Sequence, residues 1–125
     1  MSVIRRLIPR RSDVTQEMEQ ALEFARNEAL KGYIDSMRRF LDDAVEKAER
    51  LRVDISARTK AIEQLGYQKA TELALEQASD LAGQGNSRIA DLYLQIAEQH
   101  ASHLNDRFRD KVRDARAKLQ VTPSE

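Results

Sequence analysis

The sequence predicts an all-α fold, an antiparallel helical bundle or coiled-coil hairpin of long helices, and three observations predict it. Glycine and proline supply only four and two of the 125 residues, where average usage of the two together is about 12%. Charged residues make up 34%, and the composition is weighted to Ala, Leu, Glu, Gln, Arg and Lys, the strongest helix formers. Long stretches carry apolar residues at spacings of three and four, the repeat of one helix face. Together these exclude all-β and α/β folds and a disordered chain, and the lack of cysteine excludes a disulfide scaffold. With 21 basic and 21 acidic residues the formal net charge is zero, which argues against a general nucleic-acid coat.

Three stretches are expected: a basic amphipathic segment at 1–12, a single helical domain at 13–119 and a tail at 120–125. In the first, Val3, Ile4, Leu7 and Ile8 share a face when helical, and Arg5, Arg6, Arg10 and Arg11 come with no acid. Pro9 disfavours a helical Ile8 and breaks the segment. Such a leader frays, lies over the end of the helical domain, or touches an anionic lipid surface through its four arginines. No apolar run approaches the roughly 18 residues of a spanning helix and no secretory apolar region is present, so a cytoplasmic location is expected.

The first helix is expected to start near Ser12 or Asp13, with Asp13 as N-cap, Gln16 three residues on, and Glu17 and Glu19 near the positive end of the dipole. Val14, Met18, Leu22 and Ala25 open its apolar stripe. Beyond Gly32 the stripe becomes a three-four alternation of coiled-coil type through Ile34, Met37, Leu41, Ala44, Ala48, Leu51 and Ile55. Opposite-charge pairs such as Asp35–Arg39, Asp43–Lys47 and Glu46–Arg50 flank it.

Val53-Asp54-Ile55-Ser56 reads as a tight turn, but Ile62 and Leu65 continue the same heptad with only Arg58 out of place. Without a turn, one helix of about 70 residues reaches about 105 Å and needs a second chain to cover its seam. Gly83-Gln84-Gly85-Asn86-Ser87 is a loop, with Gly83 as C′ residue and Asn86 or Ser87 as the next N-cap. The last helix carries Ile89, Leu92/Tyr93, Ile96, His100, Leu104, Phe108, Val112, Ala115 and Leu119 as its stripe, reaches about 48 Å and stops before Thr122-Pro123. Counting the same length back from Ala82 leads to Leu51, which favours the turn. The expectation is therefore three long helices at about 13–52, 55–82 and 88–119, or four if the first breaks at Gly32. Ala70, Ala74, Ala78 and Ala82 give the middle helix a smooth face for close backbone approach.

Few constellations carry chemistry. His100 and His103, the two histidines, share a helix flank with Asp106, and this spacing can bind zinc or copper. His100 is also in line with Ile96 and Leu104, which makes it a seam histidine, and Ala97 stands where a di-iron Glu-x-x-His motif needs glutamate. Glu72, Glu76 and Asp80 form an acidic row, with Asp91 across the loop. Acids on two facing helices resemble the MazG-type nucleotide pyrophosphohydrolases, and that resemblance implies magnesium held against a triphosphate. The chain departs from that pattern at Arg88, which stands three before Asp91 in place of glutamate, and it has no adjacent glutamate pair. There is no glycine-rich phosphate loop, His-Glu-x-x-His or Gly-x-Ser-x-Gly. Arg107, Arg109, Lys111, Arg113, Arg116 and Lys118 alternate with Asp106, Asp110 and Asp114, so a solvated helix face is expected there rather than a nucleic-acid patch.

Gln16-Glu17-Met18-Glu19-Gln20-Ala21-Leu22, Arg26 and Lys69-Ala70-Thr71-Glu72-Leu73-Ala74-Leu75 resemble segments of the phage-shock-protein A family. That resemblance implies an amphipathic leader followed by a coiled-coil hairpin that polymerises on membranes. The expected function is a non-enzymatic scaffold or adaptor, without cofactor or metal, that self-associates or binds a partner helix through Ile34, Met37, Leu41, Leu51, Ile89, Ile96 and Leu104. A homo-oligomer, favoured as a dimer, or a helical protein is the expected partner, with a membrane surface reached through residues 1–11. The competing classes are a small metal-dependent nucleotide hydrolase and a membrane-surface or nucleic-acid accessory protein.

Overall fold

The computed structural model describes residues 10–119, and all its regular elements are helices. They are α1 (Arg11–Leu30), α2 (Ile34–Leu51), α3 (Ser56–Gly83), α4 (Ser87–Ala101) and α5 (Asp106–Leu119). The described chain thus has five helices where three or four were expected. The stretch read as 13–52 breaks at Gly32, and the one read as 88–119 breaks again at 102–105. Of the expected leader at 1–12, residues 1–9 lie outside the described residues, while Arg11 and Ser12 belong to α1; the expected tail at 120–125 also lies outside them.

The first helix begins at Arg11, two residues before the expected cap. Arg10 occupies the N-cap with no side-chain bond, and Asp13 sits in the first turn, where its charge favours the dipole. Arg11 also donates through Nη2 to the Leu51 carbonyl oxygen at 2.8 Å. That bond ties the start of α1 to the end of α2, so the two run antiparallel.

Between them, Gly32 takes φ +75°, and the Gly32 and Tyr33 amides donate to the Ala29 and Glu28 carbonyls at 2.9 and 3.0 Å. This left-handed stop satisfies two carbonyls that a helix end would leave bare. A Cβ on Gly32 would lie 2.9 Å from Leu73 Cδ1 and 3.3 Å from the Ala70 backbone nitrogen. The position therefore demands glycine for its dihedral and again for its space.

The turn at 53–56 is present, so the uninterrupted 70-residue helix is excluded. Arg52 adopts φ 57°, ψ 41°, and the Asp54 carboxylate accepts the Ser56 amide at 2.9 Å to start α3. At the other end of α3 the left-handed residue is Gly85, at φ +79°, not Gly83, which remains inside the helix. The Gly85 and Asn86 amides close on Ala82 and Leu81 at 3.0 and 2.9 Å.

α3 is the shared spine. α1 and α2 cover its first half, where Met18, Leu22, Ala25, Ala29, Met37, Leu41, Ala44, Ala48, Leu51, Ile55 and Tyr67 form one core cluster. A Cβ on Gly66 would fall 2.3 Å from Met37 Sδ and 3.4 Å from Ala29 Cβ, so α1, α2 and α3 converge there. α4 returns along the second half, and the alanine face of α3 does what its spacing predicts. Ala74 packs with Ala97, Ala101 and Val112, and Ala78 packs with Ala90 and Leu94.

This pairing of small faces reverses the expected stripe on α4. The buried positions are Ala90, Asp91, Leu94, Ala97 and Ala101, whereas Ile89, Leu92 and Ile96 stay exposed. Alanine against alanine lets two backbones approach closely, and the larger residues then have no place between the helices. The break at 102–105 follows from the same layout. The first half of α3 is already covered, so a straight continuation of α4 would run into α1 and α2. Ser102 and His103 instead bond back to Glu98 and His100 at 3.0 and 3.1 Å, and α5 folds over, burying Val112 completely.

Candidate functional site

Three side-chain groups stand out, and all involve α4. The first is a ridge. Ile89, Leu92 and Ile96 are spaced by three and four, so they share one face, and they are 40%, 49% and 40% exposed. Exposed polar residues Arg88 and Gln99 and half-buried Gln95 flank this ridge, and the half-buried Tyr93 and His100 lie on its other side. Scattered apolar residues are ordinary on a surface, but an aligned row on one helix has the form of a docking face.

Of the residues expected to form the interaction seam, the structure thus separates two sets. Met37, Leu41 and Leu51 are buried inside the chain, and Ile34 and Leu104 pack half-buried against the same cluster. Their apolar surface is consumed by α1 and α3. Ile89 and Ile96 remain open to solvent.

The second group fixes the back of α4. Asp91 is fully buried, accepts Gln95 Nε2 at 2.8 Å and is paired with Arg116 Nη1 of α5. The same guanidinium reaches Glu98 Oε1 through Nη2 at 3.1 Å. Burial alone lowers the Arg116 pKa, but the two carboxylates outweigh it and leave it raised. Glu72, Glu76 and Asp80, by contrast, are exposed along α3. The structure therefore separates Asp91 from the acidic row with which it was grouped.

The third group surrounds Tyr67, a buried residue that the sequence did not single out. Its hydroxyl accepts Arg38 Nε of α2 at 3.0 Å and also Arg38 Nη2. The His103 ring stacks on it at 4.0 Å and 11°, and the His100 ring is tilted at 6.0 Å. His100 has its pKa lowered, first by burial and then by His103. Asp106 does not join the histidines; it is exposed and 3.7 Å from Arg109. Among the described residues, no group of three or more histidine, aspartate or glutamate residues could hold a metal ion.

A cleft of about 480 Å³ between α4 and α5 is lined by Glu98, Ser102, Arg109, Asp110, Arg113 and Arg116. Its arginines are engaged within the chain. Arg113 meets Asp110 at 2.8 Å, and Arg109 reaches the Ser102 carbonyl at 3.3 Å as well as Asp106. This agrees with the interleaved charge pattern of 106–118. In the basic leader, Arg5 and Arg6 lie outside the described residues, Arg10 is exposed and Arg11 is held by Leu51. No described helix is long and apolar enough to cross a membrane. No family model matches the chain, and neither does any curated protein or any solved structure.

Proposed function

We propose that this chain is a non-catalytic helical scaffold or adaptor, a small bundle that presents one apolar helix face to another helix. The observation that carries the reading is the Ile89–Leu92–Ile96 ridge, three large aliphatic side chains aligned on α4 and 40% or more exposed. An amphipathic partner helix recognises such a face by spaced anchors, and the 3–4 spacing here matches that mode. The Asp91–Arg116–Glu98 contacts brace α4 from behind, so the ridge is presented on a rigid support. Rigid presentation reduces the ordering cost of binding.

A photo-reactive benzophenone amino acid placed at position 92 or 96, in the cells that make the protein, tests this. Discrete adducts are expected at both positions and not at Glu49, an exposed polar site on α2. Indiscriminate labelling, or equal labelling at Glu49, would overturn the reading.

A further inference from the structure

We infer that the contacts around Tyr67 are a latch between the two halves of the bundle, and that acidification opens it. The latch is independent of the α4 ridge.

The halves meet at few places. α1 and α2 pack on each other and on α3, and so do α4 and α5. Among the described helices, neither of the first two packs on either of the last two. Beyond the shared spine, the elbow at 102–105 joins them. Leu104 packs half-buried against the first core cluster. His103 stacks on Tyr67, a buried member of that cluster, and His100 approaches the same ring from the last turn of α4. Arg38 of α2 holds the Tyr67 hydroxyl from the other half.

His100 is placed to stay neutral. It is half-buried, and burial is the larger cause of its lowered pKa, with His103 the smaller. The groups around it offer a proton no partner. The elbow contributes His103, α3 the Tyr67 ring, and α2 Arg38, a cation on which Glu63 and Asp42 act. On α5, Asp106 turns to Arg109. Among the described residues, no carboxylate acts on the charge of His100. A proton there is disfavoured while the latch is closed, and becomes ordinary once the elbow leaves Tyr67 and water reaches the ring. As pH falls below 6.5 the open form binds the proton first, so it gains on the closed form.

The opening is local because each half keeps its own core. Ala97, Ala101 and Val112 stay with Ala74, and Arg116 stays on Asp91 and Glu98. What opens is the set of bonds that closes the elbow. The Ser102, His103 and Leu104 amides donate to the Glu98, His100 and Ala101 carbonyls at 3.0, 3.1 and 2.9 Å. Segments with little buried apolar surface open below the global free energy, and in this elbow Ser102, His103 and Asn105 are all exposed.

Hydrogen exchange of the backbone amides, followed by NMR at pH 7.5 and pH 5.5 and corrected for intrinsic rates, tests the latch. Selective loss of protection at Ser102, His103 and Leu104 is expected at pH 5.5, while Ala44 in α2 and Ala78 in α3 keep theirs. The midpoint of that loss should follow the His100 ring resonance, titrated in the same samples. His100→Gln should remove the pH dependence at the three elbow amides, and His103→Gln should reduce it. Protection unchanged at pH 5.5, an equal loss at Ala44 and Ala78, or a midpoint that neither histidine ring shares would each overturn the inference. So would a loss that persists in a folded His100→Gln variant. The first three outcomes are read on the unmodified chain, so they decide the matter even where a variant fails to fold.

Discussion

The carboxylate of Asp91, wholly buried on α4, is held by the guanidinium of Arg116 on α5. It is one of two charge pairs, with Arg116–Glu98, that fasten the last described helix to α4, across 25 and 18 residues of sequence. A buried pair adds little net stability when compared with an apolar pair of the same shape, because both ions must leave water. Breaking it from one side is different, because the remaining charge stays buried.

Arg116→Leu should therefore cost about 3 kcal/mol, read as a lower urea midpoint with an unchanged slope. Glu98→Gln should cost under about 1 kcal/mol, because that carboxylate is half exposed and water replaces the lost partner. Equal costs for the two would mean that Asp91 does not dominate the clamp.

Stability should fall between pH 7.5 and pH 5.5, and His100 sets the direction. Burial and His103 lower its pKa in the folded chain below 6.5. The unfolded chain then binds the proton first as pH drops, so the stability is fully present above pH 6.5 and is lost as pH falls toward the folded value. His103 is the charged neighbour that acts on the ring, and both histidines share the Tyr67 ring, whose hydroxyl Arg38 holds. Glu19 and Asp54 have lowered pKa values, from the Arg58 and Ser56 bonds respectively, and they act only in more acidic solution. Thermal midpoints measured over that range should flatten in His100→Gln; an unchanged pH slope in the variant would remove His100 as the cause.

The two left-handed positions that end α1 and α2 should respond in opposite directions. Gly32→Ala meets both the dihedral penalty and the contacts with Leu73 and Ala70, so a loss of about 2 kcal/mol or more is expected. Arg52 already carries the penalty at φ 57°. Arg52→Gly relieves it, less the extra freedom of glycine in the unfolded chain, for a gain of about 0.5 kcal/mol. Differential scanning calorimetry on both variants checks the signs.

Helical content and most of the turns were legible because they depend on local chemistry: few glycines, capping residues, apolar repeats. The smooth face at Ala70, Ala74, Ala78 and Ala82 was also legible as a place for close backbone approach; Ala74, Ala78 and Ala82 pack in the clusters shared with α4, while Ala70 lies against the Gly32 turn. The break at 102–105 was not legible, because no glycine or proline marks it. It arises from the earlier helices occupying the first half of α3, which is a tertiary fact. Arg58 looked misplaced in a heptad, yet it forms a two-pronged pair with Glu19 on α1 at 2.7 and 2.5 Å. Arg38 and Tyr67 met across 29 residues, a pairing that no spacing rule could reveal.

The reversed face of α4 yields the sharpest prediction, because hydropathy and structure disagree in sign there. If the large aliphatic residues faced inward, Ile96→Ala would leave a cavity worth about 2–5 kcal/mol, and Ala97→Leu would sit harmlessly on the surface. In the structure Ala97 is fully buried against Ala74, Ala101 and Val112, while Ile96 is 40% exposed. Ala97→Leu should therefore overpack that contact and cost about 1–3 kcal/mol. Ile96→Ala should cost well under that in the monomer, at about 0.5–1 kcal/mol. Leu94→Ala, at a fully buried position on the same helix, gives the full cavity cost as an internal standard. Urea unfolding at low protein concentration, below any dimerisation, separates the two orientations: only the structure places Ala97→Leu below Ile96→Ala in stability.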